Sequence, residues 1–152
     1  MPDHSLSDFA DKIVEAMRAL TRGFGKKHSN ELCRGKITMP QFIILDFLSS
    51  RSGAKMRDVA TFLEISTAAV TGIVDRLQKS GYLDRLPDSR DRRIIHLKLS
   101  RKGNALVEKI HKERRQMLIS MFSRISQSER EEYLRILTKI KNAILGNNHD
   151  KP

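Results

Sequence analysis

The chain has 152 residues, enough for one domain with a hydrophobic core, and 29 Lys and Arg against 18 Asp and Glu give it a net charge of +11. This charge favours an anionic partner, nucleic acid first and an acidic membrane surface second. No apolar run approaches the roughly 18 residues of a membrane span, and the polar sequence MPDHSLSDFA lacks the apolar core of a signal peptide. Cys33 is the only cysteine, which excludes an internal disulfide. We expect a cytoplasmic protein with no membrane partner.

The first predicted element is a long amphipathic helix over 6–25. Its apolar residues recur at spacings of three and four, the period of one helix face. They are Leu6, Phe9, Ile13, Met17, Leu20 and Phe24. Gly23 and Gly25 are expected to end the helix. This stripe lies far in sequence from the central part of the chain, so it needs a partner elsewhere.

A second helix is predicted to begin after Thr38. The sequence Thr38-Met39-Pro40-Gln41 matches a capping box with proline in the first turn. The residues that follow, 42–48, are apolar on most sides, which predicts a helix buried in the core. Residues 49–53 are expected to form a loop, and residues 54–56 a short strand.

The third and fourth helices are predicted to form a pair. The third covers about 56–63, and after a turn the fourth begins at Ser66, whose side-chain oxygen can cap free amide groups. The fourth helix has apolar residues on one face, and Gly81 ends it. Two helices that cross steeply need a small residue where they touch, and Ala60 opposite Val70 and Ile73 meets that need. The spacing indicates a helix-turn-helix.

A two-stranded ribbon with a basic tip follows the fourth helix. Residues 82–86 lead into a polar turn over 87–92, and residues 95–99 alternate between apolar and polar as in a half-buried strand. Across 76–102, nine basic residues stand against three acidic ones. Three arginines, Arg90, Arg92 and Arg93, lie at or beside the tip, where side chains project furthest from the body.

Two further helices with apolar stripes are predicted after the ribbon. Ser100 can cap the first, which carries Leu106, Ile110, Met117 and Met121 on its way towards residue 125. The sequence Ser128-Glu129-Arg130-Glu131 matches a capping box for the second. The stripe of that second helix comprises Tyr133, Leu134, Leu137, Ile140, Ala143 and Ile144. Stripes at both ends exceed what one small subunit can cover, so we expect a two-fold dimer; a monomeric bundle is the alternative.

These elements together favour binding to double-stranded DNA. The fourth helix fits the major groove, and the small side chains of its first turns allow close approach to base edges. Tip arginines suit the negative, narrow minor groove, while basic residues beside the helix pair would contact phosphates. The candidate DNA-binding residues are Lys55, Arg57, Ser66, Thr67, Ala68, Thr71, Arg76, Arg90, Arg92 and Arg93. The alternative is a basic protein-interaction or RNA-associated helical module, in which the charge only gives solubility.

Two segments carry a family resemblance. The sequence TAAVTGIVDRLQKSGYLDR (67–85) and the sequence DSRDRRIIHLKLSRKG (88–103), in this order of elements, resemble the multiple-antibiotic-resistance regulator (MarR) family of winged helix-turn-helix repressors. The specific part is the pattern of Asp88, Arg90, Asp91 and Arg93 followed by the strand and Gly103.

The resemblance implies a mainly α (α+β) fold, a winged helix-turn-helix with terminal dimerisation helices. Residues 1–152 would form a single domain, with a DNA-binding lobe at 38–100 and dimerisation helices at 6–25 and 101–146. Family members are homodimers that read a palindrome. By analogy, Thr67, Ala68 and Thr71 would face bases, and Arg90 or Arg93 would enter the minor groove, with Asp91 holding an arginine in place.

Repressors of this family often respond to small phenolic or lipophilic molecules bound between the dimer helices and the DNA-binding lobe. Candidates for such a pocket here are Phe24, Met39, Phe42 and Ile43, which could equally be ordinary core. Some relatives instead sense peroxides through a cysteine, and Cys33 has basic neighbours that could lower the pKa of its thiol. Glu31, Cys33 and His111 show no metal-ligand spacing, so no metal site is expected.

Enzyme classes fit the sequence poorly. The segment from Gly23 to Lys26 is too short for a phosphate-binding loop. Asp84, Asp88 and Asp91 lie among arginines that would hold them as ion pairs rather than as general bases. No nucleophile motif is present. We expect neither catalysis nor a cofactor.

Overall fold

The structure, a computed structural model, describes residues 5–27, 37–92 and 94–146, with the side chains of residues 23–27 outside that description. The helices are α1 (Leu6–Lys27), α2 (Met39–Ser49), α3 (Met56–Leu63), α4 (Thr67–Lys79), α5 (Arg101–Phe122) and α6 (Gln127–Leu145); the strands are β1 (Ala54–Lys55), β2 (Leu83–Pro87) and β3 (Ile95–Leu99). The described residues fall into two compact units, divided between Glu113 and Arg114. In this part of the chain no helix is long and apolar enough to cross a membrane.

Helix α1 has the predicted amphipathic face but not the predicted end. It continues through Gly23 and Gly25 to Lys27. A glycine inside a helix costs only about 1 kcal/mol relative to alanine, so it weakens a helix without ending it unless its backbone turns left-handed. The side chains described in α1 are all exposed, including those of Leu6 at 82% and Met17 at 60%.

Helix α2 begins as the sequence predicts and forms the centre of the core. The Thr38 amide N–H donates to Gln41 Oε1 at 2.8 Å, and the Gln41 amide N–H donates to Thr38 Oγ1 at 3.4 Å, which completes the capping box. Apolar residues on most sides of the helix are buried: Phe42, Ile44, Leu45, Phe47 and Leu48. Within the part of the chain that is described, every buried hydrophobic residue lies between Ile37 and Ile110.

The predicted helix-turn-helix is formed by α3 and α4. Glu64 adopts a left-handed backbone with φ +54°, and the Ile65 amide N–H donates to the Ala60 carbonyl at 3.1 Å, which closes the turn without a glycine. Ser66 caps α4 because its Oγ accepts the Ala69 amide N–H at 3.2 Å. Ala60 and Val70 are both buried where the helices cross.

A three-stranded antiparallel sheet supports the helix pair. Its strand order is β1-β3-β2, with Ala54 opposite Leu97 on one side and Leu83 opposite Leu99 on the other. Leu97 is fully buried, as the alternation over 95–99 predicts. The strands β2 and β3 with the turn between them form the wing (residues 83–99). The predicted winged helix-turn-helix and mainly helical fold are therefore confirmed.

The first helix after the wing, α5, is anchored in the core only along its first turns. Ser100 caps it, since its Oγ accepts the Gly103 amide N–H at 3.0 Å. The buried side chains of Leu106, Val107 and Ile110 follow on one face of the helix, as expected from its apolar stripe. The beginning of α5 thus belongs to the same hydrophobic core as the helix-turn-helix.

The predicted start of α6 is two residues too late. Ser126, not Ser128, caps this helix: its amide N–H donates to Glu129 Oε2 at 2.7 Å, and the Glu129 amide N–H donates to Ser126 Oγ at 3.3 Å. Both serines have a glutamate three residues later, so the motif alone did not choose between them. These contacts with Ser126 lower the pKa of Glu129. None of the residues of α6, all of which are described, is buried.

Candidate nucleic-acid interface

The exposed face of α4 carries small side chains over the first half of the helix. Val70, Val74 and Leu77 point into the core, so residues half a turn away face solvent. The centre of this exposed face carries Ala68, Gly72, Asp75 and Lys79, all of them exposed. A Cβ atom built on Gly72 would meet no atom within 4 Å. The helix backbone is therefore accessible at Gly72.

Three of the predicted base-reading residues lie at the start of α4. Thr67 and Ala68 are exposed in its first turn. Thr71 is half-buried, and its Oγ1 donates to the Thr67 carbonyl at 2.8 Å, which leaves the lone pairs of the hydroxyl available to an outside donor. The Ser66 hydroxyl already accepts the Ala69 amide N–H as the helix cap.

The wing tip is held by one carboxylate. Asp88 Oδ1 accepts the amide N–H groups of Arg90 and Asp91 at 2.8 and 3.1 Å, and Asp88 Oδ2 lies 2.9 Å from His96 Nε2. The backbone closes on itself where the Asp88 amide N–H donates to the Ile94 carbonyl at 2.8 Å. The expectation that arginines hold Asp88 is wrong, because backbone amides and His96 occupy its oxygens. This arrangement fixes the turn from which the tip arginines project.

The wing turn should resist acid unusually well. The N–H of Arg90, then His96, then the N–H of Asp91 stabilise the charged carboxylate, and they lower the pKa of Asp88 from 3.8 to about 2. Because the pKa is lowered on folding, this stabilisation is complete above pH 3.8 and is lost as pH falls through about 2. In NMR spectra followed from pH 6 downwards, the change in the amide chemical shifts of Arg90 and Asp91 that depends on the Asp88 carboxylate should begin only below pH 3.8.

An inflection of those amide shifts at or above pH 3.8 that disappears when Asp88 is replaced would show that the carboxylate does not hold the turn. Asp88→Asn is the matched variant, since it keeps one oxygen acceptor but cannot titrate. In Asp88→Asn the same amides should show no inflection attributable to residue 88.

The other predicted basic residues that the structure describes lie at the wing tip, at the start of α3 and on α4. Arg90 and Arg92 are exposed at the wing tip, whereas Arg93 lies outside the described residues. Lys55 and Arg57 are exposed at the start of α3, and Arg76 is exposed on α4. The Lys55 amide N–H donates to Asp58 Oδ2 at 2.8 Å, which fixes the beginning of α3.

An ion pair joins α4 to the wing. Arg85 Nη2, on β2, lies 2.6 Å from Asp75 Oδ1, on the exposed face of α4. The pair was missed from the sequence because the two residues come together only when the wing folds back along the helix. Gly72 was missed too, although the helical period counted from Val70 and Val74 would have placed it opposite the core. It completes the exposed face together with Ala68, Asp75 and Lys79.

The residues predicted for an effector pocket lie in different environments. Phe42 is buried in the core, with its ring centroid 6.2 Å from that of the His111 ring and the two rings nearly perpendicular, whereas Ile43 is half-buried and Met39 is 55% exposed. The Phe24 side chain and Cys33 lie outside the described residues, as does Glu31.

His111, considered as a metal ligand, has a protein partner instead. Its Nε2 lies 2.6 Å from Asp46 Oδ1 on α2. Among the residues that the structure describes, no group of three His, Cys, Asp or Glu side chains could hold a metal ion.

Comparison with known proteins gives one consistent family. The sequence model of the MarR family matches residues 37–95. The chain is 33% identical over 101 residues to the HTH-type transcriptional regulator FarR of Neisseria gonorrhoeae, covering 66% of each protein. It is 26% identical over 138 residues to the HTH-type transcriptional repressor MdtR of Bacillus subtilis (strain 168), covering 88% of this chain and 89% of MdtR.

The fold agrees with the sequence relationship. The crystal structure of RV1404 from Mycobacterium tuberculosis matches with a TM-score of 0.79 and 28% identity, over 94% of this chain and 97% of RV1404. Members of the matched family are transcription regulators and not enzymes, which agrees with the prediction from the sequence. The chain therefore belongs to the MarR family of helix-turn-helix transcriptional regulators.

Proposed function

We propose that the protein is a homodimeric repressor that binds a near-palindromic operator in double-stranded DNA. The observation that carries this proposal is the exposed face of α4, which is small at Ala68 and Gly72 and is joined through Asp75 and Arg85 to a wing whose tip presents arginines. A helix with such a face can lie deep in the major groove. An arginine tip beside it can enter the adjacent minor groove, where the negative potential is greatest.

Each predicted DNA-binding residue has a role in this proposal. Thr67, Ala68 and Thr71, at the start of α4, contact the bases. Ser66 is held in place by the hydrogen bond through which it caps α4. Phosphates are bound by basic residues on either side of the helix pair, which fix the register without specifying sequence. These residues are Lys55, Arg57 and Arg76. The wing presents Arg90, Arg92 and Arg93 to the DNA, and Arg90 or Arg93 enters the minor groove.

The dimer is proposed to form through helices at both ends of the chain, over 6–25 and 101–146, around a DNA-binding lobe at 38–100. Exposed apolar side chains on α1 and α6 support this proposal, because monomeric proteins rarely leave such long apolar stripes in water. They are Leu6, Phe9, Ile13, Val14, Met17 and Leu20 on α1, and Tyr133, Leu134, Ile136, Leu137, Ile140, Ile144 and Leu145 on α6. We place the dimer in the cytoplasm, where its DNA target lies.

Repression and its release are also proposals. The relative MdtR is named a repressor, which favours that role here. For the signal we propose a small phenolic or lipophilic effector that contacts Phe24, Met39, Phe42 and Ile43. Oxidation at Cys33 is the alternative signal. Operator affinity measured with an added phenolic acid and with added peroxide distinguishes the two signals. Cys33→Ser is the control for oxidation, because it should no longer respond to peroxide.

The decisive experiment is selection of bound fragments from random duplex DNA. A dimer with two recognition helices should recover a near-palindrome whose half-sites lie roughly 10 base pairs apart. Its affinity should fall steeply with salt, because each neutralised phosphate releases counterions. A basic protein-interaction or RNA-associated module would instead recover no common sequence, and that result would overturn the proposal.

The ion pair between Asp75 and Arg85 gives a second test. Arg85→Ala should weaken operator binding, because it leaves a carboxylate without its partner on a surface that meets phosphates. The double variant Asp75→Ala/Arg85→Ala should recover part of the loss, since it removes that carboxylate as well. Exposed pairs of this kind change stability by only about 0–1 kcal/mol, so both variants should stay folded. Additive losses in the double-mutant cycle would show that the pair has no role in binding.

A further inference from the structure

The end of α4 and the start of α5 are joined by a set of contacts that the proposed DNA-binding surface does not use. The carbonyls of Ser80, Gly81 and Tyr82, the three residues after α4, each accept a hydrogen bond from the beginning of α5 or its cap. Lys102 Nζ donates to the Ser80 carbonyl at 2.7 Å, Ser100 Oγ donates to the Gly81 carbonyl at 2.7 Å, and the Ser100 amide N–H donates to the Tyr82 carbonyl at 3.1 Å. We call residues 80–82 and 100–103 the α4–α5 joint.

Ser100 acts on both sides of the joint. Its hydroxyl donates to Gly81 and at the same time accepts the Gly103 amide N–H at 3.0 Å, so one group binds the end of α4 and caps α5. Lys102 places a positive charge at the negative end of the α4 dipole and lies 4.5 Å from the centre of the Tyr82 ring.

The joint is also too tight to admit a larger residue. A Cβ atom on Gly103 would lie 2.0 Å from the Tyr82 carbonyl oxygen and 3.3 Å from a methyl group of Leu99. Gly103 is buried, so its side-chain hydrogen faces protein rather than water. Close packing and hydrogen bonds together leave the first turn of α5 little freedom to slide or rotate against the end of α4.

We propose that Ser100 is a positioning residue for DNA recognition, which fixes the recognition helix α4 against α5 and thereby sets the half-site spacing that the dimer accepts. This inference rests on the dimeric function proposed above. The core contacts of Leu106, Val107 and Ile110 hold the body of α5, and the joint fixes its first turn. In a dimer joined through the terminal helices, the direction of each recognition helix then follows from the direction of α5.

A measurement without DNA tests the joint directly. Cys33→Ser/Ala69→Cys places one spin label on the exposed side of each recognition helix, and pulsed electron spin resonance gives the distance between the two copies. We expect a narrow distance distribution in this background. Adding Ser100→Ala should broaden it, because both hydrogen bonds of the hydroxyl are lost. Adding Ser100→Thr, which keeps the hydroxyl, should restore the narrow distribution.

A second measurement reads the same property through the operator. One inserted base pair turns one half-site by about 34° and moves it by about 3.4 Å. The parent protein should lose about tenfold or more in affinity for such a duplex, a loss comparable to that from a mismatched base pair. Ser100→Ala should lose less than about threefold, and Ser100→Thr should behave as the parent.

The outcomes separate the two levels of the proposal. A variant Ser100→Ala with the parent's distance distribution overturns the inference alone. The absence of any distance between copies overturns the proposed dimer and, with it, the inference. Failure to select a duplex sequence overturns the proposed function and leaves the distance measurement intact. Lys102→Met should broaden the distribution as well, since it keeps the aliphatic stem and loses the bond to Ser80. Thermal unfolding of each variant checks that a broader distribution does not come from a partly unfolded chain.

Discussion

Replacing Gly72 with alanine should stabilise the free protein and weaken its complex with DNA. The free helix has open space at this position, because an added Cβ would meet no atom within 4 Å. Alanine favours an exposed helix interior over glycine by about 0.8–1 kcal/mol, so the free energy of unfolding should rise by up to that amount. In the complex the same methyl group would stand between the helix backbone and the base edges, at the centre of the exposed face of α4.

The expected loss in operator affinity is about 1–3 kcal/mol, the range for one disturbed base contact. Gly146→Ala is a control for an added methyl group alone, because the methyl would stand in open space at the C-cap of α6; since residue 146 ends the proposed dimerisation helices, the dimeric state of this variant is measured first. It should leave operator affinity unchanged. Chemical denaturation and a fluorescence-anisotropy titration on the selected operator measure the two quantities. If Gly72→Ala raises stability with full operator affinity, this face of α4 does not approach DNA closely.

Removing the arginines of the wing tip should cause the other large loss of DNA affinity. Arg90 is exposed, and the turn that carries it is held through backbone N–H groups by Asp88, so the turn should keep its shape without the arginine side chain. Arg90→Ala and Arg93→Ala should each weaken operator binding, by about 1–3 kcal/mol for an arginine that enters the minor groove. A variant that loses only a phosphate contact should instead weaken binding to all duplexes equally. It should also reduce by about 1 the slope of the logarithm of the binding constant against the logarithm of the salt concentration.

Lys141→Ala removes a positive charge from an exposed position on α6 and serves as the control. Binding isotherms at several salt concentrations, on the operator and on an unrelated duplex, distinguish specific loss from a general loss of charge. Arg92→Ala in the same series identifies which arginine of the tip is inserted. Equal small losses for Lys141→Ala and for all three wing variants would remove the wing from the mechanism.

Local features of the fold could be predicted because each depends on residues a few positions apart. The capping box at Thr38, the cap at Ser66 and the alternation over 95–99 all formed as expected. The same reasoning failed where a local motif allowed two outcomes. Ser126 and Ser128 offered competing capping boxes, and Gly23 could continue α1 as readily as end it.

The site was less predictable because its contacts join residues distant in sequence. The partner of Asp88 proved to be His96 across the wing, and Asp75 meets Arg85 only after β2 has turned back along α4. The hydrogen bond between Ser100 and Gly81 spans two strands of the sheet in the same way. In each case a charge or hydroxyl is visible in the sequence, but its partner is chosen by the folded backbone.

Because the core is confined to one part of the chain, the DNA-binding lobe and the helices α1 and α6 should respond differently to dilution. Hydrophobic burial in the described chain is confined to Ile37–Ile110, so the lobe there is held together by contacts within one molecule. If a second copy covers the apolar stripes of α1 and α6, the packing of these helices depends on dimer formation and therefore on protein concentration. Lowering the protein concentration would then separate the two copies and expose α1 and α6 first. Each DNA-binding lobe would stay folded but would bind DNA as a single copy.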